Sequence, residues 1–204
     1  MAHYCECYRR IVLKSAARHD WSQLKDASVI TEKSFGDLAP VELRFDSKVL
    51  YLRGRIDRIE ITKHKAVIRD LKTARAYPRV GKAADPDPAV DLQIAVYGLI
   101  AELLAKEWKL PKKIEVGYAY LGGARFFEDF QTVLKPAGIK WLEIAAALLN
   151  ERQFPRTPNT DDCTYCPFKP VCGEGVYDRA RAQLNNSTGA VADFASLKLT
   201  DSEK

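Results

Sequence analysis

The stretch GRIDRIEITKHKAVIRDLK, residues 54–72, decides the reading of this chain. It is the end of one β-like run and the whole of the next, divided by a plausible turn at Lys63-His64. Over 49–61, Leu50, Leu52 and Ile56 occupy even positions, whereas Ile59 and Ile61 occupy odd ones. The phase slips near Asp57, which predicts a bulge or bend there. Over 66–72, Ile68, Asp70 and Lys72 share a face, because strand side chains repeat every second residue. Two neighbouring strands would thus present two carboxylates and an amine together.

Such a set suits phosphodiester hydrolysis. That reaction needs a nucleophilic water, neutralisation of phosphate charge and help for the leaving oxygen. A Mg2+ or Mn2+ ion on hard oxygen ligands supplies much of this. Asp57 and Asp70 are the candidate carboxylates, and the carbonyl of Leu71 is a candidate third oxygen. Lys72 would orient or help deprotonate the water and offset phosphate charge. Asp-x-Lys alone is a weak signal, equally compatible with an exposed salt-bridged pair. Further along, Gln93 and Tyr97 lie four apart on one face of an otherwise apolar helix expected over about 88–108. Buried, their polar ends need partners.

The surroundings read as a mixed α/β pattern. A helix is expected over 4–18 and a strand over Val41–Phe45 after the Gly36-Asp37 turn. Residues 76–88 form a loop rich in Pro, Gly and charge, ending in Asp87-Pro88 as a helix start. Residues 114–121 alternate as a strand, Gly122-Gly123 marks a hairpin turn, and 125–134 form the next strand. A helix follows over about 138–151. Phe126, Phe127 and Phe130 are expected to pack in the core or at an interface. The segment 182–204 is polar and lacks strong periodicity, as expected of a disordered tail.

Bulk properties are permissive. The 204 residues are 47% hydrophobic and 29% charged, with a net charge of +5. One domain with attached ends is the expectation. No run approaches a membrane span. Arg9, Arg10 and Lys14 interrupt any apolar start, so a cytoplasmic location is expected. Arg53, Arg55, Arg58, Lys63, Lys65 and Arg69 crowd the hairpin, and Arg75, Arg79 and Lys82 follow it. These charges could track a nucleic-acid backbone, with Tyr77 available to stack on an unpaired base.

Five cysteines are present. Cys163, Cys166 and Cys172 form a compact ligand-spaced loop, and Cys5 and Cys7 lie near the start. In a reducing compartment this favours metal ligation over disulfides. Three thiolates cannot close a four-coordinate site, so Cys5 or Cys7 would supply the fourth. Zinc and a 4Fe–4S cluster suit four thiolates equally well, and spacing does not decide.

The order Gly54-x-x-Asp57, then Asp70-x-Lys72-Thr73, then Gln93-x-x-x-Tyr97 resembles the RecB-type branch of the PD-(D/E)XK nuclease superfamily, which includes AddB nuclease domains and CRISPR adaptation nucleases. The resemblance implies a restriction-endonuclease-like core: a mixed central sheet flanked by helices, as one nuclease-like domain over 1–181. It implies that Asp57 and Asp70 hold the metal, Lys72 is the catalytic lysine, and Gln93 and Tyr97 shape the site and contact substrate. Residue 56 is Ile where the superfamily name has Pro. The family's additional upstream ligand has His3, His19 and Glu32 as candidates. Cys7 and Cys163, Cys166 and Cys172 resemble the segments that hold a 4Fe–4S cluster in members of this branch, where it would join the two chain ends. The implied activity is Mg/Mn-dependent cleavage of DNA, as an exonuclease on single-stranded ends, with a helicase, CRISPR or recombination protein as possible partner. The alternative is a non-catalytic nucleic-acid-binding or assembly subunit that keeps the fold.

Overall fold

The computed structural model describes residues 26–46, 48–72, 88–120, 123–126, 130–164 and 166–199, with no side-chain description for 88–91, 123–126 and 161. The expected helix over 4–18, His3, His19, Cys5, Cys7, the loop before Pro88 with Asp87, Arg75, Tyr77, Arg79 and Lys82, and Phe127 lie outside these residues. The chain divides into two compact units. One comprises Met1–Leu43 with Tyr51–Trp141, the other Arg44–Leu50 with Leu142–Lys204.

The first unit is built on a five-stranded sheet. Its strands are β1 (Ser28–Phe35), β4 (Gly54–Ile61), β5 (Lys65–Lys72), β6 (Lys113–Tyr120) and β7 (Gly123–Phe126), adjacent in that order. β2 (Val41–Phe45) and β3 (Lys48–Leu52) pair as a separate ribbon. Pairing is antiparallel except between β5 and β6, which run parallel. A parallel pair needs a crossover, and helix α1 (Pro88–Leu103) lies within it, packed against β5 and β6. The sheet is therefore mixed, as expected.

The core follows from alternation. Ile59 and Ile68 are paired across β4 and β5, and Ile68 pairs with Val116 on β6. All three are fully buried, together with Ile94 and Ile100 of α1. Residues 66–70 of β5 are buried without interruption, the pattern of a strand covered on both faces. On the face opposite Ile59 and Ile68, Glu60 accepts from Arg58 Nε at 2.8 Å and pairs with Arg69 Nη2 at 2.9 Å. Glu60 and Arg69 are buried, so each charge needs the other.

The expected bulge at Asp57 is not formed. β1 and β4 keep one register throughout, although Ile56 and Ile59, at even and odd positions of β4, are both fully buried. The irregularity lies on the partner strand: the pair Glu32–Asp57 is skipped, and Glu32 has a φ of 54°. Gly54 of the Gly-x-x-Asp motif has a packing role. It pairs with Phe35, and a Cβ there would fall 2.6 Å from the ring's Cζ.

Two further expectations change. The strand expected over 125–134 ends at Phe126; Phe130–Leu134 is a π-helical turn leading into α2 (Lys135–Asn150). Phe130 and Leu134, four apart, are both buried, so helical spacing explains their burial. Phe130 does reach the core, as expected, and rests on Gly98 of α1, where any Cβ would collide with its ring. Helix α1 ends five residues before the expected point. Turns then run to Lys109, whose φ is 54°.

In the second unit, helices extend to Lys198, within the segment expected to be a tail. A short α3 (Lys169–Cys172) precedes α4 (Val176–Asn185) and α5 (Gly189–Lys198). Leu184, Val191, Ala195 and Leu199 form a small core with Leu148 and Phe194. These apolar residues are sparse, yet their three- to four-residue spacing is helical.

Candidate active site

Asp57 belongs to neither ladder. Its pairing to β1 is skipped, and the β4–β5 pairs end at Arg58–Arg69. Its carboxylate instead accepts the main-chain N–H of Leu71 at 2.8 Å. One more step of the β4–β5 register would set Asp57 opposite Asp70. The two carboxylates therefore face each other where the strands part. Asp70 is buried, and its Oδ2 receives no aligned hydrogen bond. Lys72 Nζ approaches that oxygen at 2.6 Å as an ion pair. Burial raises the Asp70 pKa above 3.8, and the charge of Asp57 adds to this; contact with Lys72 opposes it.

A directed hydrogen-bond chain holds the lysine. Lys72 Nζ donates to Gln93 Oε1 at 3.0 Å, Gln93 Nε2 donates to the Tyr97 hydroxyl at 3.0 Å, and that hydroxyl donates to the Arg55 carbonyl at 2.8 Å. The polarity is fixed at both ends, since an ammonium only donates and a carbonyl only accepts. The Gln93 amide thus has one workable orientation. Burial raises the Tyr97 pKa, and the Asp70 and Asp57 charges also push it up, so the hydroxyl keeps the proton it donates. The chain links β5, α1 and β4.

Sequence reasoning missed Tyr118 and Tyr120. In register, Asp70 pairs with Tyr118 and Lys72 with Tyr120, so all four share a sheet face. The Lys72 ammonium lies 5.3 Å from the Tyr118 ring centroid, within cation–π range. The alternation of Ile114, Val116, Tyr118 and Tyr120 was the available signal.

Of the upstream ligand candidates, Glu32 alone is described. Its carboxylate pairs with Arg55 Nε at 2.6 Å. Among the described residues, no three His, Cys, Asp or Glu side chains are grouped to hold a metal. The two carboxylates still fit a divalent cation chemically. Two neighbouring carboxylates share one ammonium, which leaves an excess of negative charge for a cation to offset.

Cys163, Cys166 and Cys172 are free and half-buried. Cys166 N–H donates to the Cys163 carbonyl at 3.2 Å, closing a turn between them. Arg179 donates to the carbonyls of Cys172 and Glu174 at 3.0 and 2.6 Å. Desolvation raises the Tyr177 pKa, with added contributions from a hydrogen bond to Cys163 and the charges of all three cysteines. Among the described residues, the thiols are not grouped as three metal ligands.

Comparison with known proteins bears on this arrangement. The family model for the PD-(D/E)XK nuclease superfamily matches residues 4–173. Among solved structures, one described as the crystal structure of SSO0001 is similar at 19% identity and a TM-score of 0.38, covering 79% of this chain and 67% of that one. No curated protein matches the chain. No helix among the described residues is long and apolar enough to cross a membrane.

Proposed function

The chain belongs to the PD-(D/E)XK nuclease superfamily, and from that premise we propose that it is a Mg2+- or Mn2+-dependent deoxyribonuclease of the RecB-type branch, acting as an exonuclease on single-stranded DNA ends. The observation that carries the reading is the meeting of Asp57, Asp70 and Lys72 on one sheet face, with Lys72 held between Asp70 and Gln93.

Asp57 and Asp70, with the Leu71 carbonyl, are the groups that would hold the ion. A bound divalent ion supplies Lewis acidity and neutralises phosphate charge. Lys72 offsets charge that develops on the phosphate, acting from a site fixed before substrate arrives. It pairs with an anion and donates to an amide oxygen, and from that position it would orient the attacking water by donation. Gln93 and Tyr97 direct their polar atoms to Lys72 and the Arg55 carbonyl. They act by positioning the lysine.

A nuclease assay with Mn2+ on the full chain, beside Lys72→Ala, tests this. Cleavage by the parent and loss in the variant is the expected result. Equal activity in both would end the assignment. One observation favours a second reading as a non-catalytic DNA-binding or assembly subunit: Glu32 is committed to Arg55, and no third side-chain ligand joins the two aspartates among the described residues. DNA binding by the parent without cleavage would establish that reading.

We also infer that Cys163, Cys166 and Cys172 ligate a structural 4Fe–4S cluster, with Cys7 as the fourth ligand from sequence. Free, half-buried thiols in a ligand-spaced loop support it. Anaerobic purification with iron, sulfide and zinc analysis tests it. Iron-free protein carrying zinc would replace the cluster with a zinc site.

A further inference from the structure

The basic residues of the hairpin are not equivalent. Arg58 and Arg69 are committed to Glu60 on the sheet face opposite Asp57. Lys65 and Lys113 both pair with Glu115, at 2.7 and 2.9 Å. Arg55 differs. It alternates onto the same face of β4 as Asp57, two residues away, and its side chain is 63% exposed. Glu32 meets the guanidinium at Nε, at 2.6 Å, and both side chains are exposed. The Arg55 main chain is also tied, because the carbonyl accepts from Tyr97.

We propose that Arg55, oriented by Glu32, binds a backbone phosphate of the nucleic acid next to the one at the Asp57–Asp70 site. The inference rests on the nuclease reading and deepens it. A guanidinium donates a planar fork of N–H groups that matches phosphate oxygens, and an exposed Arg–Glu pair contributes little to stability. Glu32 meets the fork at Nε, while the exposure of the Arg55 side chain leaves the guanidinium accessible to a phosphate. Tyr97 holds the backbone and Glu32 the side chain, so less freedom is lost when phosphate binds. The skipped Glu32–Asp57 pair has the same consequence. Glu32 lies across from the site but gives its carboxylate to Arg55, which makes it a positioning residue.

The test is binding and cleavage of a labelled oligo-dT by the full chain. Affinity is read by anisotropy across a salt series with Ca2+ in place of Mn2+, and cleavage is read with Mn2+. Arg55→Gln is expected to weaken binding about tenfold and to lower the salt-dependence slope by about 0.7, the value for one lost phosphate contact on a single strand. Arg55→Lys should keep the slope and lose part of the affinity, because a point charge replaces the fork. Glu32→Gln should weaken binding less and leave the Mn2+ concentration for half-maximal activity unchanged. Unchanged affinity and slope in Arg55→Gln would overturn the proposal. So would a large rise in the Mn2+ requirement of Glu32→Gln, which would make Glu32 a metal ligand. A parent that binds through Arg55 but never cleaves would leave the proposal standing and remove the hydrolytic reading instead.

Discussion

Lys72 Nζ lies 2.6 Å from Asp70 Oδ2, and the same ammonium donates to Gln93 Oε1 at 3.0 Å. One cation is thus held by a buried carboxylate on its own strand and by an amide on a helix. Neither contact can be moved without changing the other.

Lys72→Ala should lower the cleavage rate by at least about a hundredfold, the scale for losing one preorganised charged donor. Lys72→Arg should recover little, because a planar fork cannot reproduce both contacts. Single-turnover rates, with melting temperature as the control for folding, check this.

Divalent ions should stabilise the chain through the two carboxylates. At a concentration about 100 times Kd, Mg2+ or Mn2+ should add about 2.7 kcal/mol. Asp70→Asn should abolish most of that gain while melting no lower than the parent without metal, since it removes a buried charge. Thermal denaturation with and without metal measures both effects.

Tyr97→Phe removes the donor to the Arg55 carbonyl and the acceptor for Gln93. Gln93 Nε2 then loses its acceptor, and the amide is held only by Lys72. The expected result is a drop in kcat of about tenfold, equivalent to about 1.4 kcal/mol, with KM nearly unchanged. A KM effect alone would assign Tyr97 to substrate contact.

Asp162 gives a pH dependence. Burial alone would raise its pKa, but hydrogen bonds from Lys198 and Thr157 and the Lys198 charge outweigh this and hold it below 3.8. The pair's stabilisation is therefore fully present above pH 3.8 and is lost as pH falls below it through the lowered value. Lys198→Met should cost about 0.5–1 kcal/mol at neutral pH, as expected of a partly exposed pair. The difference should close in acid. Urea unfolding of the second unit at several pH values checks it.

Gly98→Ala should destabilise despite alanine's better helix propensity. The added methyl meets the Phe130 ring, an overpacking cost of about 1–3 kcal/mol against a propensity gain of about 1 kcal/mol. Adding Phe130→Leu should restore part of the loss in denaturant unfolding.

Much of the site was legible because its spacing is local. Asp70 and Lys72 are separated by one strand repeat and Gln93 and Tyr97 by one helical turn, so periodicity alone placed each pair. The strands 41–45 and 65–72 were readable for the same reason. Strand β1 was not: Ser28–Phe35 is polar on both sides at most positions and gains its definition from pairing with β4. The Glu32–Arg55 contact depends on that pairing, so no local pattern announces it. The stretch 125–134 misled because aromatic residues suit strands, whereas Phe130 and Leu134 are buried at helical spacing. Helices α4 and α5 bury few residues each, too few for their pattern to stand out from a polar tail.

The seating of Phe130 on Gly98 has a bearing on how a mutational survey of this chain should be interpreted. Gly98 follows Tyr97 directly, so a bulky side chain there, or a small one at 130, shifts the helix that carries the lysine's support. Inactive variants at these two positions would score alongside those at 70 and 72 although neither touches phosphate. Only a folding readout collected in parallel would separate misplaced scaffold from missing chemistry.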